Sequence, residues 1–377
     1  MTRTCYGLGA VDQLPRLVEE LGGRRVLLVC GERSFAASGA DTMLPELRRR
    51  AEVRRWSSFE PNTNATDLLA GLGIVEEFQP DTVVAVGGGS AMDMAKLLCA
   101  FPDARDTEAL HTAIRSGKPT APRGPRLVLV PTTSGSGSEA THFAVVYIGT
   151  DKYSIAAPGL LPDVTVLDPA LTLSGSPYQR ATSGIDAVSQ AVESLWAVGG
   201  TAESRGFARR ALRVLLPAIE GFVHTPDTGN ARAMAVGSHL AGRAINVSKT
   251  TAAHALSYGL TKGYGVSHGH AVALTLGRFV EAHANAVDAD LQPAVDVERH
   301  RDAMSRVLDA LGAADGAEAR RRFTELGERL GLSMRLDEVG ADSEERVRAL
   351  TASVNTERLG NNPVRFSAEG LVALLRA

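Results

Sequence analysis

The 377-residue chain has few cysteines, few aromatics and no excess of one charge. Its three cysteines, Cys5, Cys30 and Cys99, are odd in number and share no metal-type spacing. That excludes a disulfide framework, fits a reducing cytoplasm, and leaves each thiol as a small buried hydrophobe. No apolar run approaches the ~20 residues of a membrane span, and the opening MTRTCYGLGAVDQL lacks the apolar stretch of a secretory signal. Lysine and arginine number 40 against 43 acids, a formal charge of -3, so no electrostatic reason exists to bind nucleic acid or a membrane surface. A cytoplasmic protein with a small-molecule partner is expected. The length is too great for one core and suits two domains.

What the chain does have is a change of pattern half-way along. Residues 25–30 (RVLLVC), 81–86 (DTVVAV) and 127–130 (LVLV) are continuous apolar runs, the form of parallel strands buried on both faces. Helical stretches at 43–52 and 67–78 lie between them, giving a βαβαβ order and a doubly wound parallel sheet. After about residue 174 the periods are helical and Ala-rich, at 184–197, 202–222, 231–246 and 251–260. LDPALTLSGSPYQ supplies the punctuation between the halves. The expected domains are 1–174, a Rossmann-like α/β nucleotide-binding domain, and 175–377, an all-α metal-binding and substrate domain.

Three sets of residues carry chemistry. Gly87, Gly88, Gly89 and Ser90 end a strand and open a helix, so bare N–H groups and a positive helix end can meet a pyrophosphate. Asp93 and Lys96 fall in the first turns of that helix; Lys96 either joins the site or lies on the helix surface. Residues 131–139 (PTTSGSGSE) again follow a strand, and Thr132, Thr133 and Ser136 offer hydroxyls for phosphate, ribose or amide contacts, with Lys152 counted beside them. In the second half, Asp186, Gln190, His254 and His268 stand among apolar and small residues. A carboxylate, an amide and two imidazoles can hold a divalent cation that polarises a carbonyl. Asp186 and Gln190 share one helix face at i, i+4.

GGGSAMDMAK, PTTSGSGSE, SGIDAVSQAVES and HALSYGLTKGYGVSHG, in this order and separation, resemble the iron-containing (group III) alcohol dehydrogenase family over roughly residues 5 to 290. The resemblance implies the dehydroquinate synthase-like fold, NAD(P)H, iron or zinc, and a homodimer. It makes Asp186, Gln190, His254 and His268 the metal ligands, with Gln190 replacing the family's usual histidine. A relay histidine of the family is Tyr258 here, either a proton donor or a packed aromatic, and His270 is a second relay candidate. VGGGSAMDMAK, SGIDAVSQAVESLWAV and NVSKTTAAHALSYGLT look most like the phosphonoacetaldehyde reductases.

The substrate clue is Lys249, where the family generally has a small neutral residue. A cation among Ser248, Thr250 and Thr251 suits a dianionic phosphonate. At a helix N-terminus, where the spacing places it, it would oppose the dipole and so need such a reason. His142, beside the second loop, is a further substrate candidate. At the end of the first strand, Gly31 replaces an aspartate of NAD-preferring relatives; Arg33 or Ser34 can receive a 2′-phosphate, while Glu32 argues the other way. The expected reaction is reduction of an aldehyde to a primary alcohol, phosphonoacetaldehyde to 2-hydroxyethylphosphonate in phosphonate biosynthesis. The alternatives are a general short-chain alcohol or aldehyde dehydrogenase of the same family and a dehydroquinate synthase-like lyase.

Overall fold

Alternation along the buried strands builds the first half of the protein. In a computed structural model describing residues 2–120, 124–352, 354 and 356–377, eight strands form. They are β1 (Arg3–Tyr6), β2 (Arg25–Cys30), β3 (Glu52–Trp56), β4 (Thr82–Gly87), β5 (Arg126–Pro131), β6 (Phe143–Ile148), β7 (Asp151–Ala156) and β8 (Val164–Leu167). Six make a fully parallel sheet in the order β1-β8-β5-β4-β2-β3, while β6 and β7 pair as an antiparallel hairpin. Leu27, Val29, Val83, Ala85, Leu127 and Leu129 point to one core, and Val26, Leu28, Val84, Val86, Val128 and Val130 to the other. A strand buried on both faces has no polar side to show, which is why these runs are unbroken.

Helices α1 (Leu14–Glu20), α2 (Ser34–Ala37), α3 (Leu44–Arg50), α4 (Ala65–Phe78), α5 (Gly89–Ala100) and α6 (Thr107–Ser116) accompany the sheet. Phe35 of α2 and Leu47 of α3 pack on one face; Leu68 of α4 and Met92 of α5 pack on the other. From β2 the chain steps outward to β3, then crosses back to β4 and on to β5, so the winding reverses between β2 and β4. Open α/β sheets bind ligands outside the carboxyl ends of the strands at such a reversal. The expected doubly wound sheet is present. It is larger than the apolar runs imply, because edge strand β1 (RTCY) is largely exposed, edge strand β3 (EVRRW) carries charge, and β8 has only four residues.

The second half is helical: α7 (Pro177–Trp196), α8 (Ala202–His224), α9 (Thr228–Ser248), α10 (Ala252–Tyr264), α11 (His268–Ala284), α12 (Val297–Leu311), α13 (Gly316–Arg329), α14 (Glu344–Ala352), α15 (Thr356–Gly360) and α16 (Ala368–Arg376). The chain divides into two compact units. One ends at Gly175 and also takes Asp227–Ala235; the other comprises Ser176–Pro226 and Val236–Ala377. Ser176 caps α7 by accepting from Gln179 N (3.1 Å), and Pro177 takes a first-turn place where no N–H is needed. Among the described residues no helix is long and apolar enough to cross a membrane.

Two buried histidines join α11, α12 and the chain's end. His283 Nε2 accepts from Asn362 Nδ2 (3.0 Å), and His300 Nε2 donates to the His283 carbonyl (3.1 Å). Burial, then the neighbouring His300, holds His283 well below the usual imidazole value, and burial lowers His300 too. The fold therefore keeps both rings neutral, while the unfolded chain takes up protons below pH about 6.5. Stability present above that pH is lost as pH falls, at up to about 1.4 kcal/mol per pH unit from His283. Thermal melts of the wild type at pH 7.5 and 5.5 should show this loss, and His283→Gln should flatten it; an unchanged slope in that variant refutes the assignment.

Candidate active site

At the carboxyl edge of the sheet, β4 runs through Gly87 into Gly88 and then α5. A Cβ on Gly88 would lie 3.3 Å from Thr133 Oγ1, and one on Gly89 would lie 3.0 Å from Ser136 Cβ, so the two predicted loops meet where no side chain intervenes. Thr132 N donates to the Gly87 carbonyl (2.9 Å), and Ser90 Oγ accepts from Asn62 N (3.1 Å). This bare glycine backbone at a helix start fits a dinucleotide pyrophosphate.

Asp93 and Lys96 stand behind that cradle. Asp93 accepts from Ser138 Oγ (2.6 Å) and Val145 N (3.0 Å), so both carboxylate oxygens are committed to holding the second loop against α5 and β6. Lys96 belongs neither to the helix surface nor to a phosphate contact. It is fully buried and donates to the carbonyls of Ser138 (2.6 Å), Thr141 (2.8 Å) and Phe143 (2.9 Å) and to Thr141 Oγ1 (2.9 Å). Burial lowers it to about 8 against the pull of Asp93 and Glu139; four oxygens around the ammonium favour its charged form at neutral pH. Lys152 lies on β7 with Nζ 6.0 Å from the Tyr147 ring centroid, and His142, half-buried, sits edge-on to Phe143.

The metal-competent residues of the second unit converge. Donor atoms of Asp186 on α7, His254 on α10 and His268 at the start of α11 lie within 4.8 Å of one another. His254 Nδ1 donates to Glu193, so once the ring gives up its other proton the lone pair falls on Nε2. That Nε2 is buried, 3.3 Å from Asp186 Oδ1, and makes no hydrogen bond. A buried imidazole beside a carboxylate and a second imidazole offers the donor set of a divalent cation. Burial opposes charge on His254, but Glu193 and Asp186 outweigh it and lift the ring to about 10, so a cation binds there by displacing a proton. Gln190 Nε2 donates to Asp186 Oδ2 (3.0 Å), buttressing that carboxylate. His268 Nδ1 pairs with Ser257 Oγ (3.2 Å), which orients the ring of the cluster's second imidazole. Gly269 is forced by the packing: a Cβ there would collide with the Thr182 carbonyl and come within 2.7 Å of Asp186 Cβ.

Residues 1–169 match the family described as iron-containing alcohol dehydrogenase, and residues 180–377 match the C-terminal region of the Fe-containing alcohol dehydrogenase family. The chain belongs to the iron-containing alcohol dehydrogenase family. It is an oxidoreductase of alcohols and aldehydes that uses NAD(P) and iron or another divalent metal. It is 33% identical over 304 residues to the phosphonoacetaldehyde reductase of Streptomyces viridochromogenes, covering 78% of this chain and 75% of that one. It is 32% identical over 272 residues to long-chain-alcohol dehydrogenase 1 of Geobacillus thermodenitrificans, covering 72% and 69%. The solved sulfoacetaldehyde reductase of Bifidobacterium kashiwanohense, in complex with NAD+, superposes with a TM-score of 0.87 at 26% identity, covering 100% and 96%.

Other site residues of this dehydrogenase fall differently from their sequence reading. Lys249 follows the last residue of α9 and donates its N–H to the Ile245 carbonyl (2.9 Å), so it stands at a helix C-terminus, not an N-terminus. A cation is favoured by the dipole there, and the dipole argument for an anion partner falls. The hydroxyls around it also turn inward: Ser248 Oγ pairs with Ser194 Oγ (2.8 Å), Thr251 Oγ1 serves Glu193 and Trp196, and Thr250 is buried. Ser248 thus builds the wall and does not face a substrate. Tyr258 stacks on His268, ring centroids 6.3 Å apart. His270 Nε2 donates to the Ser333 carbonyl (2.6 Å), leaving Nδ1 to accept from the Tyr178 hydroxyl (3.2 Å). With both nitrogens engaged, His270 is poorly placed to relay a proton.

Two residues escaped the sequence reading. Glu193 was detectable, since it extends the Asp186 and Gln190 face by three residues. Asn361 was not; its Nδ2 donates to the carbonyls of Ser248 (2.8 Å) and Thr250 (3.0 Å), clamping Lys249 from both sides.

Glu193→Gln removes the carboxylate charge that orients His254 and should weaken metal affinity about 10–100-fold. Metal retained during dialysis against graded chelators measures this, and retention equal to wild type rejects it. Lys96→Met strips three loop carbonyls of their donor and should cost about 2–4 kcal/mol in urea unfolding and weaken dinucleotide binding. Wild-type stability in that variant would show that the loop does not depend on the ammonium.

Proposed function

We propose that the chain reduces phosphonoacetaldehyde to 2-hydroxyethylphosphonate, and that Lys249 recognises the phosphonate. The observation that carries this reading is the backbone at Lys249. Its φ of 57° lies in the left-handed region, where a helix end ordinarily takes glycine or asparagine. A lysine costs roughly 1–2 kcal/mol there, so its side chain, not its backbone, accounts for its presence. That side chain is exposed, five residues before the ligand His254, and Asn361 pins the peptides on either side. Strain that the surroundings enforce is a mark of functional positions. The relatives named for phosphonoacetaldehyde and sulfoacetaldehyde support the same class: a two-carbon aldehyde ending in a tetrahedral anion.

A divalent cation, when bound, supplies Lewis acidity to a carbonyl, and NAD(P)H supplies the hydride. The chain's own groups do the rest. Glu193 orients His254, Gln190 holds Asp186, and the loops at 87–90 and 131–139 hold the dinucleotide. Tyr258 delivers the proton to the forming alkoxide, and Lys249 fixes the anionic end of the substrate by a charge-assisted hydrogen bond.

NAD(P)H oxidation with phosphonoacetaldehyde, acetaldehyde, propanal and lactaldehyde tests the proposal. Wild type should favour phosphonoacetaldehyde, and Lys249→Ala should raise its KM about 10–100-fold, as loss of a charged hydrogen bond does, while leaving acetaldehyde unchanged. Equal turnover of the unsubstituted aldehydes, or unaltered discrimination in the variant, sinks the phosphonate assignment and leaves a general short-chain aldehyde reductase.

A further inference from the structure

We propose that Arg55 recognises a phosphate monoester on the 2′-oxygen of the cofactor's adenosine ribose, making the enzyme selective for NADP(H). The inference rests on the reading that the glycine loop holds a dinucleotide. β2 and β4 are neighbours and Cys30 pairs with Val86, so Gly31 and Gly87 leave the sheet side by side where its winding reverses. A dinucleotide with its pyrophosphate on Gly87–Gly89 carries its adenosine ribose over the adjacent strand end.

Selection for NAD at that strand end is commonly made by a carboxylate, which accepts from the ribose 2′-hydroxyl and repels a 2′-phosphate. Gly31 has no side chain, and a Cβ there would collide with Ser34 Oγ. The place of the acid is therefore filled by its own loop. Arg55 instead reaches over from β3. Its Nε donates to Cys30 Sγ (3.1 Å), and Nη2 donates to the carbonyls of Glu32 (2.9 Å) and Gly31 (3.4 Å). Its guanidinium carbon lies 5.3 Å from the centre of the Phe35 ring. These contacts fix the plane of an exposed guanidinium, and Nη1 makes no hydrogen bond within the described residues. A fixed guanidinium fork with N–H groups to spare matches a phosphate dianion. Glu32 is the one carboxylate of the segment 31–34, against the guanidiniums of Arg33 and Arg55, so the local balance remains positive.

Calorimetric titration of the full chain with 5′-AMP and with adenosine 2′,5′-bisphosphate isolates the added phosphate without using turnover. Wild type should bind the bisphosphate about 10–100-fold more tightly, the range of a charged hydrogen-bond pair. Arg55→Gln should abolish that increment and leave 5′-AMP within about twofold, Arg55→Lys should restore part of it, and Arg33→Gln should retain it. Equal wild-type affinities, loss of the increment in Arg33→Gln, or a parallel loss for both ligands in Arg55→Gln overturns the assignment. If 5′-AMP binds and the bisphosphate binds no better, only Arg55 is misassigned; if neither binds, the dinucleotide reading of the glycine loop fails with it.

Discussion

The Glu193 carboxylate holds the second unit's chemistry in register, and it does so from a position with no solvent. Its Oε1 accepts from Thr251 Oγ1 (2.8 Å), Ala253 N (3.0 Å) and His254 N (3.4 Å), while Oε2 accepts from His254 Nδ1. The first N–H groups of α10 thus find their acceptor on α7, which explains why Thr251, at the cap position, makes no capping bond of its own. A negative charge at a helix N-terminus is favoured, and Glu193 stays below its usual value: burial pushes it up, but His254 and these donors prevail. One side chain therefore starts a helix, orients an imidazole and ties α7 and α10 together. Trp196 adds a strut by donating to Thr251 Oγ1 (3.0 Å).

The dinucleotide half is organised from behind in the same manner. The residues that would face phosphate are backbone N–H groups, glycines and small hydroxyls, none of which can hold a loop in shape. Rigidity comes from Lys96 and Asp93, one ammonium and one carboxylate set beneath the loops with nearly every polar valence taken. Buried charges are tolerated only when so fully bonded.

How much was legible beforehand follows from what leaves a periodic trace. Strands β2, β4 and β5 were readable because two-sided burial leaves unbroken apolar runs, and α7 to α10 because each covers several turns. β1 and β3 were not, since an edge strand can keep arginines and shows no run. In the site, Asp186, His254 and His268 were found by residue type and motif, but Lys249 was misplaced: a helix end in the left-handed conformation usually announces itself with glycine, and lysine hid it. The buried role of Lys96, and Asn361 altogether, were beyond reach, because each acts through carbonyls contributed by segments remote in sequence.

Gly269 bears on how the metal preference of such a centre can be redesigned. With α7 and α11 in backbone contact beside His268, the separation of the two helices is set by main chain and not by any side chain that mutation could enlarge or shrink. An engineer cannot widen this coordination sphere for a larger ion by repacking it. Retuning must proceed by exchanging donor atoms at fixed positions, and Gln190, already placed beside Asp186, is the natural first exchange.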